Sequence, residues 1–202
     1  MTDAQRVLVR TSAAIGADAG VLEALRAARA EADDVAIEEM ILQTYLFAGY
    51  PRALQAMSAW RELSGRAAPA AATEDREQWR GRGEAICARV YGGQYERLRA
   101  NVARLHPDLE RWMLEEGYGK VLGRPGLELA TRELCIVALL AVQRAPAQLH
   151  SHLRGALNAG ATEPDVGEAL ALAAPLAGDA ERAAAAGEWE AVRMRRARRA
   201  EG

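Results

Sequence analysis

"TRELCIVALLAVQRAPAQLHSHLRGALNAGATEPDVGEALALAAPLAG", residues 131–178, is the stretch that decides the fold. It is an Ala- and Leu-rich run interrupted at Pro146, Gly160 and Pro164. Proline is accepted in the first turn of a helix and glycine ends one, so the punctuation predicts helices near 129–144, 146–159 and 163–176. Outward from this run the composition stays the same. Ala, Leu, Arg and Glu dominate while β-branched and aromatic residues are sparse, a mixture that favours helix nearly everywhere. Further helices are expected near 3–15, 18–31, 34–48, 51–64, 75–91, 94–104, 107–117 and 178–199. The fold class is therefore all-α. "GRAAPAAATED" (65–75) has no amphipathic period and reads as a linker. "GYGKVLGRPGLE" (117–128), with four glycines and a proline, reads as an ordered loop crossing the surface.

Composition excludes several function classes. With 202 residues, 50% of them hydrophobic and 27% charged, the chain has the means to build a real core. Its net charge of −2 and pI of about 6.0 provide no basic field for nucleic acid or an anionic membrane. No apolar run approaches a membrane span, and "MTDAQRVLVR" lacks the pattern of a signal peptide. Cys87 and Cys135 lie far apart among apolar neighbours, which suits reduced, packed thiols. These features together predict a cytoplasmic protein with no nucleic-acid or membrane partner.

The chain also carries a self-similarity. "FAGYPRALQAMSAW" (47–60) and "LAGDAERAAAAGEW" (176–189) have equal length, an early Ala-Gly and a final Trp, at an offset of 129. Continued backwards, the alignment pairs Ile37 with Val166, Glu39 with Glu168 and Ile41 with Leu170. After a one-residue slip, 5–28 lies over 133–156. Two copies of a four-helix unit are expected: residues 1–64, then the linker at 65–75, then a larger domain at 76–202.

Two of the three histidines, His150 and His152, fall inside the predicted helix 146–159. At i, i+2 they point about 200° apart, so they do not share one pocket and do not make a metal pair, and no metal is expected. The adjacent pairs Glu38/Glu39 and Glu115/Glu116 split across helix faces and read as solvated surface. Tyr45, Phe47, Tyr50, Met57 and Trp60 read as core or subunit contact. The basic run at 193–199 ends a helix, where cations suit the dipole, and reads as a solvated tail.

Residues 131–178 resemble the core of the carboxymuconolactone decarboxylase family, which also includes AhpD-type alkylhydroperoxidases. The resemblance is carried by Arg132, Glu133 and Leu134 opening one helix, by Leu149, His152 and Arg154 on the next, and by Ala159, Gly160, Thr162 and Asp165 at the following turn. Upstream, "GRPGL" (123–127) belongs to the same likeness, which covers residues 82–190 well and 3–64 more weakly. The resemblance implies an AhpD-like helical fold and a cofactor-free lyase acting on a carboxylated lactone or related small acid, in aromatic compound degradation. Loss of carbon dioxide from such an acid needs cations for carboxylates, donors for the growing oxyanion and an acid to reprotonate carbon. His152 is the implied proton donor and acceptor, because imidazole titrates near neutral pH. Glu133 assists it from the neighbouring helix, and Arg154 and Arg124 are the implied substrate-binding clamps. His150 is read as a surface or interface residue.

Two departures shape the expectation. Peroxidase members carry Cys-x-x-Cys ahead of the histidine, and here those positions are Ala145 and Gln148, which disfavours thiol peroxidase chemistry. In the first copy Gln5 stands where the second has Glu133, and Ala24 where it has His152. That copy keeps its helices without the polar residues, so its implied role is one place in an oligomer, with three tandem chains forming a pseudo-hexamer. A noncatalytic oligomeric or small-ligand-binding protein of the same fold is the alternative reading.

Overall fold

The computed structural model describes residues 1–200, with side chains through Arg198, and they form an all-α protein. The helices are α1 (Asp3–Ala17), α2 (Val21–Glu31), α3 (Asp34–Gln43), α4 (Tyr45–Ser64), α5 (Arg76–Tyr91), α6 (Tyr95–Leu105) and α7 (Pro107–Trp112). A π-helical stretch, Met113–Leu122, follows α7 without a break. Then come α8 (Leu129–Ala141), α9 (Pro146–Ala159), α10 (Glu163–Ala173) and α11 (Asp179–Ala200). The starts are chemically marked. Thr2 with Gln5, Asp75 with Gln78, and Thr162 with Asp165 each exchange side-chain and backbone hydrogen bonds across the first turn, satisfying amide groups that have no partner within the helix. Pro107, Pro146 and Pro164 occupy first turns, where their missing N–H costs nothing.

Helix α8 is the axis of the molecule. Its second half, Leu134–Ala141, is apolar all round, and all of the helix's residues except Ala130 are buried, because α1, α9 and α10 pack about it. Ser12 of α1 donates from Oγ to the Cys135 carbonyl at 2.8 Å, so even the polar atoms along this seam are paired. One contiguous hydrophobic core runs from Leu8 and Val9 of α1, through Ile37 and Met40 of α3 and Leu134–Leu140 of α8, to Val166 and Ala169 of α10. The segment 65–75 is non-helical and largely exposed.

Two boundaries differ from the sequence expectation. The helix expected over 34–48 ends at Gln43, and α4 starts at Tyr45 and bends at Gly49. Gly49 has φ 81° and ψ 163°, a conformation open to glycine alone, and Pro51 follows it. The bend turns Leu46 and Phe47 toward the second half of the chain. Residues 117–122, expected as loop, continue the helix in π form, and only 123–128 is loop. This part of the chain is held by close backbone contact with α5. A Cβ on Gly83 would stand 1.9 Å from the Leu114 carbonyl oxygen, and one on Gly119 1.9 Å from that of Trp79. Gly119, one of the glycines that suggested a loop, is there to let two helices touch.

Candidate functional site

His152 of α9 and Glu133 of α8 meet because the α8–α9 hairpin folds the helices side by side. The imidazole Nδ1 lies 2.8 Å from Glu133 Oε2. Glu133 is fully buried and His152 is 6% exposed, so this contact is sheltered from competing water. Gly155, one turn beyond His152, makes room for it: a Cβ there would stand 2.7 Å from Glu133 Oε2. The other carboxylate oxygen, Oε1, is buried with no hydrogen-bond partner among the described residues. Because Nδ1 is engaged by the carboxylate, Nε2 is the ring nitrogen left to the adjoining cavity.

That cavity has a volume of about 340 Å³. His152 forms part of its wall, and Phe47 stands edge-on to the imidazole with ring centroids 5.2 Å apart and planes at 88°. Leu46 of α4, Leu109 and Trp112 of α7, and Met113 and Leu122 of the π-helix supply most of the remaining wall, which is predominantly apolar. Winding explains how one helix reaches it so often. Nine residues of α-helix make about two and a half turns and would set Met113 and Leu122 on opposite sides. The wider π winding brings Met113, Gly117, Tyr118 and Leu122 to the same cavity.

The polar groups on the wall are few. Tyr91 and Tyr118 pack edge to face at 6.1 Å. Burial pushes the Tyr91 hydroxyl up to about 12 and that of Tyr118 well above the usual phenol range, so both are neutral hydrogen-bond donors near neutral pH. Glu116 accepts a hydrogen bond from the Tyr45 hydroxyl at 3.0 Å, and Tyr45 stacks on Tyr50 at 4.8 Å.

The residues expected to form the site divide into two groups. His152 and Glu133 are brought together, whereas Arg154 and Arg124 are not among the residues lining this cavity. Arg154 is half-buried, two positions from His152 and thus about 200° round α9, where its charge acts on Tyr91. Arg124 is committed to Glu39: its Nε lies 3.0 Å from both carboxylate oxygens, and it borders a separate cleft made by its own loop. Glu39 Oε2 also accepts from the fully buried Arg132 at 2.8 Å, and Arg132 donates further to the carbonyls of Arg124, Pro125 and Leu127. Burial lowers the Arg132 pKa, opposed by its bond to Glu39. His150 lies on the far side of α9, with Nδ1 2.8 Å from Glu188 and Nε2 3.3 Å from Arg195 Nη1, and ties α9 to α11.

The acidic pairs expected on the surface are instead buried or turned to the cavity. Glu38 is paired with Arg61, Glu39 with Arg124 and Arg132, and Glu115 with Arg76, while Glu116 faces the cavity. Their periodicity pointed outward because the partner arginines come from distant parts of the chain. Phe47, Tyr91, Trp112, Glu116 and Tyr118 are the site residues that sequence reasoning did not assign. The aromatic cluster around Phe47 was the one signal pointing to them.

Both cysteines are buried, and burial pushes each thiol up to about 12. Neither is poised as a thiolate.

An all-helical protein with a buried His–Glu pair on the wall of an apolar cavity is the class defined by these observations. Residues 107–191 match the family model described as the carboxymuconolactone decarboxylase family. The matched stretch includes His152, Glu133 and the π-helix, but not Phe47. Among curated proteins, the chain is similar to the nitrosuccinic acid decarboxylase npaB of Metarhizium robertsii, at 34% identity over 90 residues. That alignment spans 44% of this chain and 63% of the relative, so less than two thirds of the relative's length is covered.

Proposed function

We propose that the protein is a cofactor-free decarboxylase of a small carboxylic acid, such as a carboxylated lactone, with His152 as the proton-handling group and Glu133 as the residue that positions it. The observation that carries this reading is the 2.8 Å contact between Nδ1 and Oε2, which holds the imidazole with Nε2 toward the cavity. In the reaction the bond between the carboxylate carbon and its neighbour breaks and carbon dioxide leaves. The electron pair flows into an adjoining carbonyl or nitro group, where the neutral Tyr91 hydroxyl, itself accepting a hydrogen bond from Tyr118, is the nearby donor for the growing negative charge. The Nε2 proton is then delivered to carbon, and a proton from water restores the imidazolium. The family match of residues 107–191 and the likeness to a decarboxylase support the reaction type.

The same proposal takes residues 1–64 as a degenerate copy of the unit in 76–202, joined by the 65–75 linker. Reciprocal ion pairs support it. Arg6 of α1 bonds Glu168 of α10 at 2.6 Å, and Arg132 of α8 bonds Glu39 of α3 at 2.8 Å, with Glu39 and Glu168 at matching positions in the two copies. The first copy does more than fill space, since it sends Leu46 and Phe47 to the wall of the second copy's cavity.

The test is carbon dioxide release from carboxymuconolactone, nitrosuccinate and benzoylacetate, three acids whose electron pair flows into a lactone, a nitro group and a ketone. At least one is expected to turn over, with kcat/KM reduced by at least about 10²-fold in His152→Ala. Turnover of none, or equal turnover by the folded His152→Ala variant, overturns the proposal.

A further inference from the structure

The charge pattern of the cavity does not match a doubly charged substrate. The two arginines expected to clamp carboxylates do not line its wall, although the charge of Arg154 reaches Tyr91, and apart from His152 the ionisable group of opposite character that lines it is Glu116. Glu116 is half-buried, and Tyr45 donates to its Oε1 alone. No ion pair joins Glu116 to a cation among the described residues, although its neighbour Glu115 is paired with Arg76. The rest of the wall is apolar except for the two neutral tyrosine hydroxyls.

From this arrangement we infer that the site selects a small acid with one carboxylate, held at the His152 end, an apolar body, and a hydrogen-bond donor or ammonium group at the end that meets Glu116. The inference rests on the acid-binding reading of the site and narrows its substrate class: of the three test acids it favours benzoylacetate, with one carboxylate, over carboxymuconolactone and nitrosuccinate, which carry two. Glu116 is then the specificity-determining residue, and Tyr45 its positioning residue. In a cavity of about 340 Å³ a second carboxylate lies within the roughly 8 Å over which physiological salt leaves charges in communication. The apolar walls weaken screening further. Glu116 therefore repels a dicarboxylate and attracts an ammonium, and discrimination comes from both the attractive and the repulsive side.

The experiment measures binding, not turnover, by titration calorimetry at low and physiological salt with three non-reacting probes of matched shape. These are 4-(aminomethyl)phenylacetate, phenylacetate and 1,4-phenylenediacetate. The parent protein is expected to bind the aminomethyl probe at least about 10-fold tighter than the dicarboxylate, with phenylacetate between them. In Glu116→Gln, checked for an unchanged circular dichroism spectrum, the gap falls to about threefold or less, and Tyr45→Phe narrows it part of the way. A dicarboxylate that binds as tightly as the aminomethyl probe overturns the inference. So does a gap that survives in Glu116→Gln, or absence of binding by all three probes. Because no probe loses carbon dioxide, the expected binding order without turnover of any test acid would overturn the decarboxylase proposal alone. Turnover with the wrong binding order would overturn the charge selection alone.

Discussion

Replacing Gly155 by Ala tests the site through a single methyl group. In the interior of α9 the substitution would by itself favour the helix by about 1 kcal/mol, since Ala is the better helix former. The site reverses that gain. The new Cβ would stand 2.7 Å from Glu133 Oε2 and 2.8 Å from Val90 Cγ1, both closer than atoms tolerate. Val90 is buried and β-branched and has no free rotamer to retreat to, so the carboxylate is what moves. Oε2 is the atom that meets the new Cβ and also the one bonded to His152, so its displacement disturbs the 2.8 Å contact on which the orientation of the imidazole depends. Overpacking of this kind costs about 1–3 kcal/mol. Against the helix gain, the net loss is about 0–2 kcal/mol, a fall in Tm of up to about 8 °C in a chain of this size. Misplacing the positioning carboxylate should lower kcat/KM by about 10- to 100-fold, because proton transfer depends steeply on geometry. Gly187→Ala on exposed α11, where a Cβ meets nothing within 4 Å, is the control and should raise Tm by about 2–4 °C without changing kcat/KM. Thermal melts by circular dichroism and initial rates with a turned-over acid measure both quantities. A Gly155→Ala protein that keeps the parent's kcat/KM and Tm would refute the account of how Glu133 is held.

Arg124→Ala removes one of the two guanidinium partners of buried Glu39 and should lower stability by about 1–2 kcal/mol while changing KM by less than about threefold. A KM rise of 10-fold or more, measured beside the melt, would restore Arg124 as a substrate clamp. Both thiols, pushed up to about 12 by burial, should be inert to an aromatic disulfide reagent at pH 8 in the folded protein. In denaturant the two cysteines should react fully, and rapid reaction of either in the native protein would contradict the buried, protonated thiols described above.

Helix content and its punctuation were local matters, and they were legible. Thr2, Asp75 and Thr162 with their partners three residues on, and Pro107, Pro146 and Pro164 in first turns, act within one turn of chain. Their positions in sequence are therefore sufficient to read them. The His152–Glu133 pair was reachable through the family likeness, because the two residues sit on consecutive helices joined by a short connection. The π-helix was not reachable, since its glycines at 117 and 119 carry the same signal as a loop unless the approach of α5 is known. The position of Arg124 was out of reach for a related reason: a guanidinium binds whichever carboxylate the fold brings to it, and Arg124 finds Glu39, 85 residues earlier in the chain. From the sequence alone came an all-α chain, written in local patterns, and the candidate histidine His152, reached through the family likeness. The cavity's walls, Phe47 against the imidazole and Glu116 facing the same cavity were decided by tertiary structure alone, because each depends on contacts between segments far apart in sequence whose side chains carry no mark of the partner they will meet.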